Sequence, residues 1–193
     1  IVVDAGHGGV DPGALGKTTN LEEKDINLSI AKYLKEYLEH SGAVVLMTRK
    51  DDRGLYSNRG SLRQKKNEDL RNRKELVRKS KADIFITIHL NSFPQTQYFG
   101  AQTFYPKDNE RSKILAEIIQ SELIEILDRN NTRVALSKEG VYLIKGLDIP
   151  TALIECGFLS NPHEEKLLGS SEYQRKIAWA IFIGIQKYFE ENP

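Results

Sequence analysis

Four short apolar runs, residues 1–3, 43–48, 84–88 and 150–154, are separated by stretches in which apolar residues recur at helical spacing. Runs without polar alternation read as strands covered on both faces, and parallel strands need a helical crossover between them. The chain is therefore expected to be α/β: a three-layer sandwich with a mostly parallel, twisted sheet flanked by helices. Three of the runs lead into a residue able to do chemistry. His7 stands in the glycine-rich turn AGHGG, His89 follows IFITI, and Glu155 follows PTALI.

The intervening segments fill in the pattern. A first helix is expected to start near Asn20, read as its N-cap, and to bury Ile26, Ile30, Leu34 and Leu38 before Ser41-Gly42 stops it. Residues 49–67 read as a long surface loop, and residues 70–81 as a charged helix with a narrow apolar stripe of Leu70, Leu76 and Val77. A strand at 100–105 and an amphipathic helix after Pro106-Lys107-Asp108-Asn109 follow. Beyond the loop at 130–140, a short helix capped at Ser160-Asn161-Pro162 precedes a last one carrying Ile177, Trp179, Ile181 and Ile185. No repeat or linker interrupts this order, so residues 1–193 are expected to form one domain.

Composition narrows the class of function. A chain of 193 residues that is 39% hydrophobic buries a core without disulfides or a structural metal, so a metal site in it would be a functional one. No apolar run approaches the roughly 18 residues a membrane span requires. Residues 59–81 hold ten Lys or Arg against three acidic residues, but no aromatics are interleaved for base stacking, so a solvated helix face is expected rather than a nucleic-acid surface. The first residue already belongs to a strand, and a signal peptide or anchor is therefore expected to be missing from this chain.

Strand ends at the carboxyl edge of an open α/β sheet are where ligands bind, because loops leave that edge together and the strands hold side chains rigidly. Two imidazoles and a carboxylate converging there are the donor set of a catalytic zinc with a fourth position open to water. Taken singly, His7 would be read as merely exposed and His89 as a satisfied core histidine. Glu23, at the third helical position after Asn20, reads as a capping glutamate. Glu155 asks for a partner, because an ionised carboxylate buried at the end of an apolar strand costs several kcal/mol unless it meets a metal, a cation or hydrogen bonds. Cys156 points to the opposite face and reads as a small buried hydrophobe. Residues 11–18 imitate a phosphate-binding loop but place Asp11 where glycine is needed.

Five stretches, IVVDAGHGGVDPG, EKDINL, ADIFITIHLNS, GAQTFY and ALIECGFLSNP, resemble in order and spacing the zinc-dependent N-acetylmuramoyl-L-alanine amidases of the Amidase_3 type. The resemblance implies that His7, Glu23 and His89 hold one zinc ion per chain, that Glu155 is the general acid/base, and that Asn91 of the I-H-x-N motif meets substrate. It moves Glu23 from cap to ligand, with Glu22 as the neighbour it is chosen over. It implies hydrolysis of the amide between the lactyl group of N-acetylmuramic acid and L-alanine in peptidoglycan, on the extracytoplasmic side, with a protein activator allowed. A zinc peptidase acting within the stem peptide and a non-catalytic wall-binding homologue are the alternatives. Leu90 and Cys156 look like the germination-related, spore-associated members. Val77-Arg78 departs from the A-N that often follows L-x-x-R in the family, and residues 89–100 leave no room for a long regulatory helix over the site.

Overall fold

The structure, a computed structural model, describes residues 1–192. Its elements in chain order are β1 (Val2–Ala5), α1 (Glu23–His40), β2 (Leu46–Met47), α2 (Leu62–Lys79), β3 (Phe85–Asn91), β4 (Gln102–Tyr105), α3 (Glu110–Leu127), β5 (Leu136–Ser137), β6 (Thr151–Phe158), α4 (Pro162–Leu168) and α5 (Ser171–Glu191). The six strands form one sheet in the order β2-β1-β3-β6-β4-β5. Pairing is parallel except between β4 and β6, so β4 and β5 run against the other four.

Alternation along the strands divides the core in two. Val3, Ala5, Ile86, Ile88, Ile154 and Cys156 pack with the apolar faces of α1, α3 and α5, where Ile30, Leu34, Ile119, Ile181 and Ile185 are fully buried. Val2, Phe85 and Leu153 point the other way, onto Val77 of α2 and the turn residues Leu143, Ile144 and Leu147. This is the period-2 division of side chains between sheet faces. The second face is thinly covered, by one helix and a turn.

Several element boundaries differ from expectation. The run at 43–48 pairs only over Leu46–Met47, because it is the sheet's edge and Val44 projects into solvent. The expected surface loop at 49–67 is cut short: α2 begins at Leu62, where Ser61 and Gln64 form a reciprocal capping box. Leu70, placed in the buried stripe, is exposed, whereas Asp69, Arg73 and Lys74 are buried with Val77. The run of positive charge is therefore only in part a solvated face. The strands carrying His89 and Glu155 do not stop there but continue to Asn91 and Phe158, with a register shift between His89 and Asn91. The cap expected at Ser160-Asn161-Pro162 is present: Asn161 caps α4, accepting from the amides of His163 and Glu164, with Pro162 in the first turn.

Candidate metal centre

Because β1, β3 and β6 are parallel neighbours, their carboxyl ends lie on one edge. His7 emerges just past β1 with a φ of 64°, a left-handed conformation uncommon for a residue with a Cβ. Two buried arginines hold the chain in it. Arg73 donates to the carbonyls of Ala5 at 2.7 Å and His7 at 2.6 Å, and Arg49 to those of Ala5 at 2.9 Å and Gly6 at 3.1 Å. Arg73 is anchored in turn by Asp4 at 2.8 Å and Asp69 at 2.6 Å. Arg73 is the arginine of the L-x-x-R stretch, and its i, i+4 spacing from Asp69 is a second sequence signal; Arg49 has none.

The structure brings His7, Glu23 and His89 together. One donor atom from each lies within 4.8 Å of the others. Glu23 Oε1 is 3.2 Å from His7 Nε2 and 3.1 Å from His89 Nδ1. The same oxygen accepts from the Leu90 amide at 2.9 Å, and Oε2 accepts from the Ala14 amide at 2.8 Å. These bonds fix the carboxylate's orientation. Glu23 is the first residue of α1, not the third; the N-cap position is Glu22, which makes no side-chain cap, and Asn20 lies outside the helix. The capping expectation for Glu23 therefore fails. Glu22 pairs instead with Lys24 at 3.1 Å and is not among the clustered donors.

Close packing leaves no alternative at two glycines. A Cβ on Gly6 would stand 2.2 to 2.6 Å from ring atoms of His89, and one on Gly13 would stand 2.6 Å from Glu23 Oε2 and 2.8 Å from His7 Cδ2. On its far side His7 Nδ1 lies 2.9 Å from Asp11 Oδ2, and Asp11 also pairs with Lys66 at 2.7 Å. A carboxylate behind a ligating imidazole fixes its tautomer and raises its basicity. Asp11 thus has a positive role beyond spoiling the phosphate-loop imitation.

The electrostatics suit a cation. Burial opposes charge on His7, yet Asp11 and Glu23 outweigh it and raise the imidazolium to about 9. Burial likewise opposes ionisation of Glu23, but bonds to His7 and His89 hold its carboxyl well below the usual carboxylate range. Two imidazoles and one carboxylate, with no thiolate, are the nitrogen and oxygen donors that zinc accepts. The residues present fit the ion.

Glu155 is the register partner of His89 across β3 and β6, and of Gln102 across β4. Its Oε1 is 3.4 Å from Lys138 Nζ, while its Oε2 is buried and has no hydrogen-bond partner among the described residues. An unpaired buried carboxylate oxygen is costly, and such atoms concentrate where a substrate supplies the missing partner. Asn91, two residues past His89, accepts from the Ser92 amide at 2.9 Å through Oδ1. Cys156 is buried on the opposite face, and burial, then the nearby Glu155 and Glu23, push its thiol far above the reactive range. It is excluded as a nucleophile.

The N-acetylmuramoyl-L-alanine amidase family, Amidase_3, matches residues 1–187. The chain belongs to that family. It is 45% identical over 194 residues to the germination-specific N-acetylmuramoyl-L-alanine amidase of Bacillus subtilis (strain 168), covering 100% of this chain and 80% of the relative. The CwlD amidase from Clostridioides difficile, solved in complex with the GerS lipoprotein, superposes with a TM-score of 0.97 at 53% identity, over 99% of this chain and 98% of that one. The catalytic domain of CwlV from Bacillus (Paenibacillus) polymyxa var. colistinus superposes at 0.82 with 28% identity, over 98% of this chain and 97% of the other. The Amidase_3 resemblance and the α/β fold expected from sequence are both borne out.

Proposed function

We propose that this chain is a single catalytic domain that hydrolyses the amide between the lactyl group of N-acetylmuramic acid and L-alanine of the peptidoglycan stem, with one zinc ion held by His7, Glu23 and His89. The observation that carries the reading is Glu155: a carboxylate with one buried, unpartnered oxygen, paired in register with a histidine of the His-Glu-His cluster. Zinc bound there supplies Lewis acidity, lowering the pKa of water toward about 7 and polarising a carbonyl.

The protein's own groups do the rest. Glu155 takes a proton from the attacking water and delivers it to the nitrogen of the departing L-alanine, so one carboxylate serves as base and then acid. Lys138 donates to Oε1 at 3.4 Å and helps to orient the carboxylate. Asp11 keeps the proton of His7 on Nδ1, so Nε2 presents its lone pair. Asn91, with Oδ1 engaged, offers its side-chain NH2 to substrate. Peptidoglycan as substrate implies action outside the cytoplasm, at wall or cortex, and the complex of the CwlD relative with the GerS lipoprotein supports a protein partner here too.

The test is digestion of purified peptidoglycan by zinc-loaded and chelator-stripped protein, followed by mass analysis. Stem peptides released with an intact L-alanine, dependent on zinc, are expected. Cleavage between stem residues would make the chain a peptidase, and no cleavage would make it a wall-binding homologue.

A further inference from the structure

Phe93, Tyr98 and Phe99 leave 44, 42 and 48% of their surface exposed, all on the loop between β3 and β4. Exposed rings gathered on one loop are a mark of a binding surface. Two of them, Phe93 and Tyr98, are packed on a buried ring. Phe158, at the end of β6, is fully buried; Tyr98 stacks on it with centroids 6.2 Å apart, and Phe93 packs on Phe158 at 5.5 Å and on Tyr98 at 5.4 Å. Arg133 lays its guanidinium 4.6 Å from the centre of the Phe158 ring, and donates to Gln102 Oε1 at 2.9 Å and to the Phe99 carbonyl at 2.7 Å. Gly100 takes a φ of 93° against Asn131, whose amide donates to the Ala101 carbonyl at 2.8 Å. Between these groups lies a shallow cavity of about 300 Å³, lined by Gln97, Tyr98, Phe99, Asn131, Thr132 and Arg133.

This surface is continuous with the catalytic edge. Gln102, to which Arg133 is tied, is the cross-strand partner of Glu155. Phe158 follows Glu155 by three residues on the same strand, about 10 Å of rise. Aromatic faces rimmed by amide and guanidinium groups suit a sugar ring, whose C–H face lies on an aromatic ring while its hydroxyl and acetamido groups need donors and acceptors. A stem peptide, rich in carboxylates, would call for several cations, and this cavity is lined by one charged side chain, Arg133, two of whose nitrogens are already engaged. We propose that this cavity is a subsite for an N-acetylated amino-sugar ring of the glycan strand, next to the muramoyl residue being cut. The inference rests on the amidase reading above and adds the course of the strand, from β6 outward over β4 and β5.

The experiment compares kcat/KM on glycan strands bearing stem peptides with kcat/KM on a muramoyl peptide carrying a single sugar. For Tyr98→Ala and Phe99→Ala the ratio of strand to single-sugar values is expected to fall about tenfold, through KM on the strands. Tyr98→Phe, which keeps the ring, is expected to restore it. A ratio unchanged in both alanine variants would overturn the subsite. Equal losses on both substrates would overturn it as well, as general damage to the loop. Parent protein that cuts neither substrate would instead sink the amidase reading itself.

Discussion

The guanidinium of Arg73 donates to the backbone carbonyl of His7 at 2.6 Å, from 66 residues further along the chain. The first residue of the candidate metal centre is thus held by α2, which contributes no donor to the metal cluster. The same guanidinium neutralises Asp4, which is wholly buried and also accepts from Thr48 and Thr87 at 2.6 Å. Arg73→Ala should cost about 3–5 kcal/mol, because it strands a buried carboxylate. Arg73→Lys keeps the charge but not the planar fork, so it should fold and yet hold zinc roughly 10- to 100-fold more weakly, the usual penalty for disturbing a ligand's supports. Thermal unfolding and chelator-competition titration separate the two effects.

Gly6→Ala offers a cleaner test of the ligand set, since it removes no functional group. Its Cβ would fall 2.2 Å from His89 Cε1, and the ring must move to admit it. The variant should fold, with circular dichroism close to the parent, while losing zinc on dialysis that the parent retains. Unchanged metal content would mean that His89 is not a ligand.

Glu155→Gln leaves the His-Glu-His cluster intact and removes the proton carrier. Stoichiometric zinc should be retained while turnover on peptidoglycan falls by about 10²–10⁴, the usual contribution of a general acid/base. Metal analysis beside a muropeptide-release assay checks both halves. Near-normal turnover would take the proton-transfer role away from Glu155.

What could be read from sequence follows from the range of each interaction. His7, His89 and Glu155 announce themselves because an apolar strand leading into a titratable side chain is a local pattern with a known place in a parallel sheet. Glu23 does not, since a glutamate at a helix start has a sufficient local reason to be there; only the family motif moved it, and the geometry agrees. Arg49 is hard to read because its partners are backbone carbonyls, which leave no side-chain signature; Arg73 shows as the arginine of L-x-x-R and as the i, i+4 partner of Asp69, but its reach to the carbonyls of Ala5 and His7 has no local signal. Val44 shows the opposite failure: a β-branched run reads as a full strand, but at a sheet edge only two of its residues pair.

Glu165 carries the pH dependence of the loop that leads into α1. Its buried carboxylate accepts from the amides and hydroxyls of Thr18 and Thr19 at 2.6 to 3.1 Å, tying that loop to α4. Burial opposes its charge, but the threonine bonds prevail and hold it at about 2. A carboxyl depressed in the folded state stabilises fully above its unfolded value, about 4.3, and loses that contribution as pH falls toward 2. Glu165→Gln should therefore unfold about 2 kcal/mol more easily than the parent at pH 7, the scale of hydrogen bonds to a charged group. The gap should narrow from about pH 4.5 downward and close near pH 2. Metal-free samples of both proteins, followed by urea denaturation across that range, keep ligand protonation out of the comparison. A gap that stayed constant to pH 2 would show that the charge of Glu165 does not matter, only its shape.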